Sequence, residues 1–278
     1  MTQGQRTSPW GRWGLRATAV TFLLLMIVVP LAAVVERGFT DGLAGLWEDL
    51  HAPAAMDALW LTLWTALLMT VINTVMGTLT AYVLVRYRFP GQALMNALVD
   101  LPFAFPTLVT GVMLVVLYGP QRAVGGWLQR QGIEIIFAPA GIVLALLFVT
   151  YPFVVRAVQP VLMELETEQE EVAYTLGASP AWTFVRVLLP AILPAVVTGA
   201  LLCFARALGE FGSIVIVAGN IPGKSLTAPV HIFGEIEAGN LRAAASISVL
   251  LLGLSFLLIL FVDWVQQRRE HRSVAVSV

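Results

Sequence analysis

Charged side chains are scarce in this sequence: only 12% of its 278 residues are Asp, Glu, Lys or Arg, where soluble domains have about 25%. Hydrophobic residues make up 58% of the chain, and the mean hydropathy is +0.84. The few basic residues are dispersed and the net charge is −1, which excludes the basic face that a nucleic-acid-binding protein needs. This composition indicates an integral membrane protein.

Cysteine and histidine are also rare. Cys203 is the only cysteine, so no disulfide can form within the chain. His51, His231 and His271 are too far apart in sequence to indicate a metal site. The chain also lacks the H-E-x-x-H and G-x-S-x-G motifs of metalloproteases and serine hydrolases. We therefore predict that the chain is not an enzyme, has no catalytic residue or metal site, and binds no cofactor itself.

Long uncharged runs are what the sequence has in abundance. Six of them cross most or all of a hydrocarbon core of about 30 Å, at about 1.5 Å per helical residue. They are residues 17–35, 58–85, 101–119, 135–155, 187–205 and 243–262. These runs are apolar on all sides, whereas barrel strands alternate over about ten residues. We predict an all-α integral membrane fold with six transmembrane helices.

Basic residues indicate the orientation, because they gather beside the cytoplasmic ends of spans. With the N-terminus inside, the cytoplasmic segments hold Arg6, Arg12, Arg16, Arg86, Arg88, Arg156, Arg186, Arg268, Arg269 and Arg272. The opposite side holds Arg37, Arg122, Arg130, Lys224 and Arg242. We therefore expect both termini in the cytoplasm. The alternative for the first span is a cleaved signal peptide ending near Ala32-Ala33, but its uncharged length favours a retained span.

A polar stretch interrupts the apolar pattern before the fifth span. Residues 161–176 are strong helix formers with acidic members, and Gly177 suits the C-cap of a helix. Ser179 and Pro180 are typical of the start of a second helix over about residues 180–189. One face of this second helix carries Trp182, Val185 and Leu189. The stretch predicts a helix, turn, helix element along the cytoplasmic membrane face, either as a solvated acidic loop or as a surface that contacts another protein.

The residues of this stretch resemble the EAA loop of ATP-binding cassette (ABC) importer permeases. The matching positions are Glu171, Ala173, Gly177, Ala178, Phe184 and Pro190, and Val172 stands where the family has its first Ala. The resemblance implies a coupling helix, opened by Glu170 and Glu171, that seats in a cleft of a separate ATPase subunit. It also implies that Glu171 offers a carboxylate to the ATPase, that the small residues Ala173, Gly177 and Ala178 allow close approach, and that Gly177 makes the turn.

Four further blocks, in order along the chain, resemble the sulfate and molybdate permease family. They are RYRFPG (86–91), DLPFAFPT (100–107), YPFVVRAVQPVL (151–162) and RALGEFGSIVIVAGNIPGK (206–224). The last two look closest to the T-type (CysT) permease of sulfate/thiosulfate importers. The resemblance implies the type I ABC importer (MetI-like) permease fold. Its core domain would cover residues 58–265, with a tail, first span and periplasmic segment over 1–57 and a cytoplasmic tail over 266–278.

The resemblance also implies partners and a location. They are a bacterial inner membrane, a CysW-type second permease forming a heterodimer, two CysA-type subunits that hold ATP and Mg²⁺, and a periplasmic sulfate- or thiosulfate-binding protein. The expected mechanism is alternating access driven by closure of the ATPase subunits. Two alternatives stay open: a molybdate or tungstate ABC permease, and an ATP-independent secondary oxyanion transporter. The second would be expected to show coupling-ion sites and repeated halves, and we find no convincing repeat.

Charged residues within the apolar blocks are the remaining candidates for a pathway. Arg206 and Glu210 lie four residues apart, which predicts that they share one helix face, and charges at membrane depth are costly. They are either a structural ion pair or a transient cationic contact for an oxyanion, weakened by Glu210. Asp100 is either a helix N-cap or a pathway residue. The GNIPGKS stretch, residues 219–225, has three residues between its glycines where a Walker A motif has four, so we expect an external turn in which Lys224 contacts a binding protein.

Overall fold

The computed structural model describes the backbone of residues 9–276 and the side chains of residues 13–261. Arg6 and the side chains of Arg12, Arg268, Arg269 and Arg272, all predicted to be cytoplasmic, lie outside the described residues. Every regular element in the described range is a helix. The first seven helices are α1 (Pro9–Leu23), α2 (Val29–Gly38), α3 (Gly42–His51), α4 (Pro53–Arg86), α5 (Gln92–Ala104), α6 (Thr107–Tyr118) and α7 (Ala123–Arg130). The next seven are α8 (Pro139–Glu164), α9 (Glu168–Thr175), α10 (Pro180–Thr183), α11 (Leu189–Leu208), α12 (Gly212–Val217), α13 (Ala228–Glu237) and α14 (Leu241–Val276).

Five helical segments in the described range are long and apolar enough to cross a membrane. They are Trp13–Gly38, Pro53–Arg86, Pro139–Glu164, Pro180–Leu208 and Leu241–Phe261. Each overlaps a predicted span, although Pro139–Glu164 starts later than the predicted run 135–155, and Pro180–Leu208 starts earlier than the predicted run 187–205. Helix α14 continues through the predicted tail, 266–278, as far as Val276.

The third predicted span, residues 101–119, is not one straight helix. Helices α5 and α6 are bent by 109° at Phe105 and Pro106. Proline disfavours the helical conformation of the residue before it, and Phe105 is accordingly extended, with φ −90° and ψ 135°. Among the described residues, a sixth span is present only if this bent pair crosses the membrane as one unit.

Two membrane helices contain a widened, π-helical turn, and both turns precede a proline at the same distance. The turns are Leu24–Val28, before Pro30, and Phe184–Leu188, before Pro190. A proline lacks an N–H, and its ring clashes with the carbonyl group four residues earlier. A widened turn relieves this clash without ending the helix, so the chain runs from Pro180 to Leu208 without a break.

Helices α4, α8 and α11 pack together to form the core. Gly77 and Gly199 let α4 and α11 approach Val154 of α8, since a Cβ atom at either glycine would lie about 3 Å from that residue. Polar contacts lock the same three helices: Asn73 donates to Thr150 Oγ1 over 2.9 Å, and Cys203 Sγ donates to the same oxygen over 3.2 Å. The packed helices α4, α8 and α11 position the segments that connect the spans.

The first span lies at the edge of this group. Between Trp13 and Gly38 only Gly38 is buried. Gly38 packs against Ala245 and Val249 of α14, and next to it Arg242 contacts Asp41 and binds Asp49 over 2.8 Å. The first span is therefore buried against other helices only at its C-terminal end.

Candidate functional site

The polar stretch before the fifth span folds as a connecting segment, defined here as residues 165–188. Helix α8 ends at Glu164, Leu165 is extended with φ −74° and ψ 122°, and α9 begins at Glu168. The predicted single helix over 161–176 is therefore interrupted. After α9, Gly177 adopts a positive φ of 84°, as expected for a glycine that ends a helix.

The second predicted helix of this stretch is the beginning of the fifth span. Ser179 Oγ accepts a hydrogen bond from Trp182 N over 3.3 Å, which confirms the predicted cap. From Pro180 the chain stays helical through the widened turn into α11. The 180–189 helix is therefore not a separate element lying on the membrane face. The turn at Gly177 is therefore followed, with no further loop, by the fifth span.

Glu170 points into the protein. Its Oε1 accepts a hydrogen bond from Arg86 Nε over 2.7 Å, and the two side chains are 8% and 11% exposed. Arg86 Nη2 also donates to the Leu165 carbonyl oxygen over 3.1 Å. The Glu170 carboxylate is thus occupied inside the chain, whereas Glu171 beside it is exposed. Of the two acids predicted to open the coupling helix, only Glu171 is accessible to another protein.

The small residues of the segment have different surroundings. Ala173 is buried, so its size serves packing within this chain. Gly177 is exposed and a Cβ atom there would meet nothing within 4 Å, so its role is the positive φ. Ala178 is half-buried. The predicted set Glu170, Glu171, Ala173, Gly177 and Ala178 is therefore divided between the inside and the surface of the connecting segment.

An apolar groove opens along the connecting segment, with a volume of about 640 Å³. Its lining residues are Gln169, Val172, Ala173, Leu176, Gly177, Ala178, Ser179, Trp182 and Val187. Leu176 is 83% exposed, and Val172 and Trp182 are more than half exposed. A concave apolar surface among polar residues is typical of a protein contact. Sequence analysis missed Leu176, although an apolar residue directly before the capping glycine was visible there.

Arg206 and Glu210 form an ion pair of 2.6 Å between Nη2 and Oε2. They do not share one helix face, because α11 ends at Leu208 and Glu210 follows it. The other Glu210 oxygen accepts hydrogen bonds from Ser213 N over 2.9 Å and Ser213 Oγ over 2.8 Å. Glu210 is 1% exposed and the Arg206 side chain 34%. The structural ion pair is present, and the exposed part of Arg206 leaves the pathway role a prediction.

The break before α6 and the break before α12 lie side by side. A Cβ atom on Gly212 would lie 2.2 Å from Thr107 Oγ1, and one on Gly111 would lie 2.7 Å from the Ser213 carbonyl oxygen. Only glycine fits at such distances. Two short helices therefore start together, next to the ion pair of Arg206 and Glu210.

Asp100 lies within α5 and does not begin a helix, so the predicted N-cap role is wrong. Its two carboxylate oxygens accept hydrogen bonds from Arg156 Nε and Nη2, both over 2.6 Å. Arg156 Nη2 also donates to the Asn96 carbonyl oxygen over 3.0 Å. This guanidinium group ties α5 to α8.

Lys224 lies in the turn formed by residues 222–225 and donates to Glu134 Oε2 over 2.9 Å. This contact lowers the pKa of the Glu134 carboxyl group. Lys224 also lines two cavities of about 200 and 240 Å³. Within the described part of the chain, no group of three or more His, Cys, Asp or Glu residues could hold a metal ion.

Comparison with known families gives a match over residues 73–271 to the family described as "Binding-protein-dependent transport system inner membrane component". The chain is 43% identical over 266 residues to the "Probable sulfate transport system permease protein cysT" of Nephroselmis olivacea, covering 96% of this chain and 92% of the relative. It is 40% identical over 257 residues to the "Sulfate transport system permease protein CysT" of Escherichia coli (strain K12), covering 92% of this chain and 93% of the relative.

Solved structures with the same fold include a bacterial ABC transporter involved in the import of the acidic polysaccharide alginate. The TM-score is 0.77 at 15% identity, covering 93% of this chain and 96% of that one. The inward-facing MetNI methionine ABC transporter matches with a TM-score of 0.59 at 21% identity, covering 77% and 95%. At these identities the likeness supports the fold alone.

Proposed function

Since this chain belongs to the binding-protein-dependent transport system inner membrane components, and among them to the CysT-type sulfate permeases, we propose that it carries sulfate or thiosulfate across the bacterial inner membrane. The chain is a transporter subunit and not an enzyme. The observation that carries the substrate is identity of at least 40% to named sulfate permeases over more than nine tenths of the chain.

A permease of an ABC importer works with a separate ATPase and a substrate-binding protein. We propose the finer composition that CysT-type relatives suggest: one CysW-type permease in a heterodimer, two CysA-type ATPase subunits, and a periplasmic sulfate- or thiosulfate-binding protein. ATP and Mg²⁺ bind to the CysA-type subunits and not to this chain. Residues 58–265 form the core domain, flanked by 1–57 and 266–278, with both termini in the cytoplasm and the first span retained.

The ATPase docks on the apolar groove of the connecting segment. Leu176 and Trp182 supply exposed apolar surface, and Glu171 supplies an exposed carboxylate in the first turn of α9. Gly177 and Ala178 line the floor without bulky side chains. Because Pro180 continues into the fifth span, a push on the groove reaches that span without an intervening loop.

Arg206 and Glu210 are the residues that we assign to the translocation pathway. Arg206 keeps part of its guanidinium group exposed at the level of two helix breaks, where a sulfate ion meets a positive charge. Glu210 occupies one side of that charge, so the contact stays weak enough for release. Closure of the ATPase subunits swings the helices around this point, first toward the binding protein and then inward.

The function is tested by uptake of labelled sulfate and molybdate in cells that carry Glu171→Lys or the unaltered chain. We expect Glu171→Lys to abolish sulfate uptake and co-purification of the ATPase, because a lysine reverses the charge that the ATPase meets. Glu164→Lys, at another exposed acid just before the connecting segment, is the matched control and should retain both.

Other results would select the alternatives. Uptake of both ions that survives Glu171→Lys unaltered would contradict the docking role. Preference of the unaltered chain for molybdate would indicate a molybdate or tungstate permease. Uptake into membrane vesicles that needs no ATP but stops with proton or sodium uncouplers would indicate a secondary transporter.

A further inference from the structure

Arg86 is the last residue of α4, a helix of 34 residues that is long and apolar enough to cross a membrane. Its guanidinium group makes two contacts with the connecting segment: Nε donates to Glu170 Oε1 over 2.7 Å, and Nη2 donates to the Leu165 carbonyl oxygen over 3.1 Å. The two contacts lie on opposite sides of the break between α8 and α9. One side chain of α4 therefore holds both edges of that break.

Arg86 binds groups on both sides of the break. Leu165 leaves the helical conformation at the end of α8, where the last carbonyl groups of a helix have no intrahelical donor. Leu165 is half-buried, and Arg86 donates to its carbonyl oxygen. The buried carboxylate of Glu170 likewise needs a positive charge close by. Both requirements are met by the fork of one guanidinium group.

A second contact joins α4 to the other side of the segment. Tyr82 lies one helical turn before Arg86, on the same face of α4. Its ring packs edge-on against Phe184, with 5.0 Å between ring centroids. Phe184 begins the widened turn that leads into the fifth span. The end of α4 thus contacts the segment both before and after the turn at Gly177.

We propose that Arg86 is a positioning residue that transmits movement of the docked connecting segment to α4, through the Glu170 carboxylate and the Leu165 carbonyl oxygen. This inference rests on the proposed docking of the ATPase. Without the two-point contact, the segment still presents Glu171, Leu176 and Trp182 to the ATPase, but α4 no longer follows its displacement. ATP hydrolysis then proceeds with little transport.

Arginine and lysine differ in how they can bind the two acceptors, Glu170 and Leu165. The planar guanidinium group binds two acceptors in fixed directions, whereas a lysine ammonium group on a flexible stem is a point charge. Arg86→Lys keeps the positive charge beside Glu170 but loses the simultaneous hold on Leu165. Glu170→Gln keeps a hydrogen-bond acceptor but loses the charge. Each variant weakens one half of the contact and leaves the exposed groove unchanged.

The test uses the full complex of permeases and ATPase, reconstituted in lipid vesicles with the binding protein. Three quantities are measured: co-purification of the ATPase, ATP hydrolysis, and labelled sulfate taken up per ATP hydrolysed. For Arg86→Lys and Glu170→Gln we expect normal co-purification and a fall of about tenfold in sulfate per ATP, within the usual range of coupling between sites. The matched controls Arg88→Lys and Glu168→Gln, at exposed neighbours, should leave the ratio unchanged.

An unchanged ratio in both variants would overturn the proposal. So would loss of ATPase co-purification, or failure of both variants to accumulate in the membrane, because the pair would then serve docking or folding alone. If the unaltered complex shows no ATP-dependent uptake, the docking function itself fails, which separates that result from failure of the Arg86 contact.

Discussion

At the level of single side chains, the Glu210 carboxylate joins two helices and holds the partly exposed Arg206. We predict that Arg206→Gln lowers sulfate uptake about tenfold, because a charge-assisted contact contributes roughly 1.5 kcal/mol or more. Glu210 keeps its two hydrogen bonds from Ser213, so we expect association with the ATPase to persist. Uptake and co-purification of the ATPase are the measurements.

Arg206→Lys is the control for this prediction, since it keeps the positive charge and should retain most of the uptake. Loss of association with the ATPase in Arg206→Gln would contradict the pathway role and leave the structural ion pair as the full explanation of these two residues.

Lys224 and Glu134 predict a pH dependence at the turn formed by residues 222–225. Lys224 lowers the pKa of Glu134, so the contact stabilises the fold above the ordinary carboxyl pKa and is lost as pH falls through the lowered pKa. Lys224→Gln should return that pKa toward its ordinary value and so remove this part of the pH dependence of stability. The measurement is the unfolding midpoint of both proteins in detergent as the pH is lowered below about 5. Identical pH profiles would rule out the contribution of this pair.

At the level of helices, the contact between α6 and α12 depends on two glycines. We predict that Gly111→Ala lowers the free energy of unfolding by about 1 to 3 kcal/mol, because the new methyl group meets the Ser213 carbonyl oxygen and Ile216 and forces the helices apart. Thermal unfolding in detergent measures the change. Gly253→Ala in α14 is the matched control: nothing lies within 4 Å of its Cβ, so we expect no loss.

In the connecting segment, some features follow from the local sequence, whereas others depend on residues far away in the chain. Gly177 and Ser179 act through their own backbone and their nearest neighbours, and both caps were predictable. The break after Glu164 was not predictable in this way, because the residue bound there, Arg86, precedes Leu165 by 79 residues. The inward direction of Glu170 has the same cause. A resemblance to the EAA loop identified the segment, but only the fold distinguishes Glu170 from Glu171.

At the level of the whole molecule, the bent pair of α5 and α6 decides the topology. Five crossing helices would leave the two termini on opposite sides of the membrane, whereas six place them on the same side. We predict that tags at both termini are cut by protease in inside-out vesicles and protected in right-side-out vesicles. Protection of one tag and cleavage of the other in the same vesicles would mean that the bent pair does not cross.

Hydropathy found the apolar runs of the molecule but not the sharp bend inside one of them. The runs reflect composition alone, which is local. The bend at Phe105 and Pro106 needs a neighbour that covers the start of α6, and α12 provides it through Gly111 and Gly212. A proline in an apolar run is compatible with a modest kink or a full break, so the sequence by itself could not choose between them.

The native thiol has a consequence for labelling chemistry. Cys203 is the only cysteine of the chain, and its side chain is fully buried between α4, α8 and α11. Its thiol donates a hydrogen bond to Thr150. A maleimide added in water therefore finds no accessible native target on this subunit. Cysteines introduced one at a time beside Arg206 or along the apolar groove would react without background from Cys203, and their changing reactivity would follow the opening and closing of each surface through the ATP cycle.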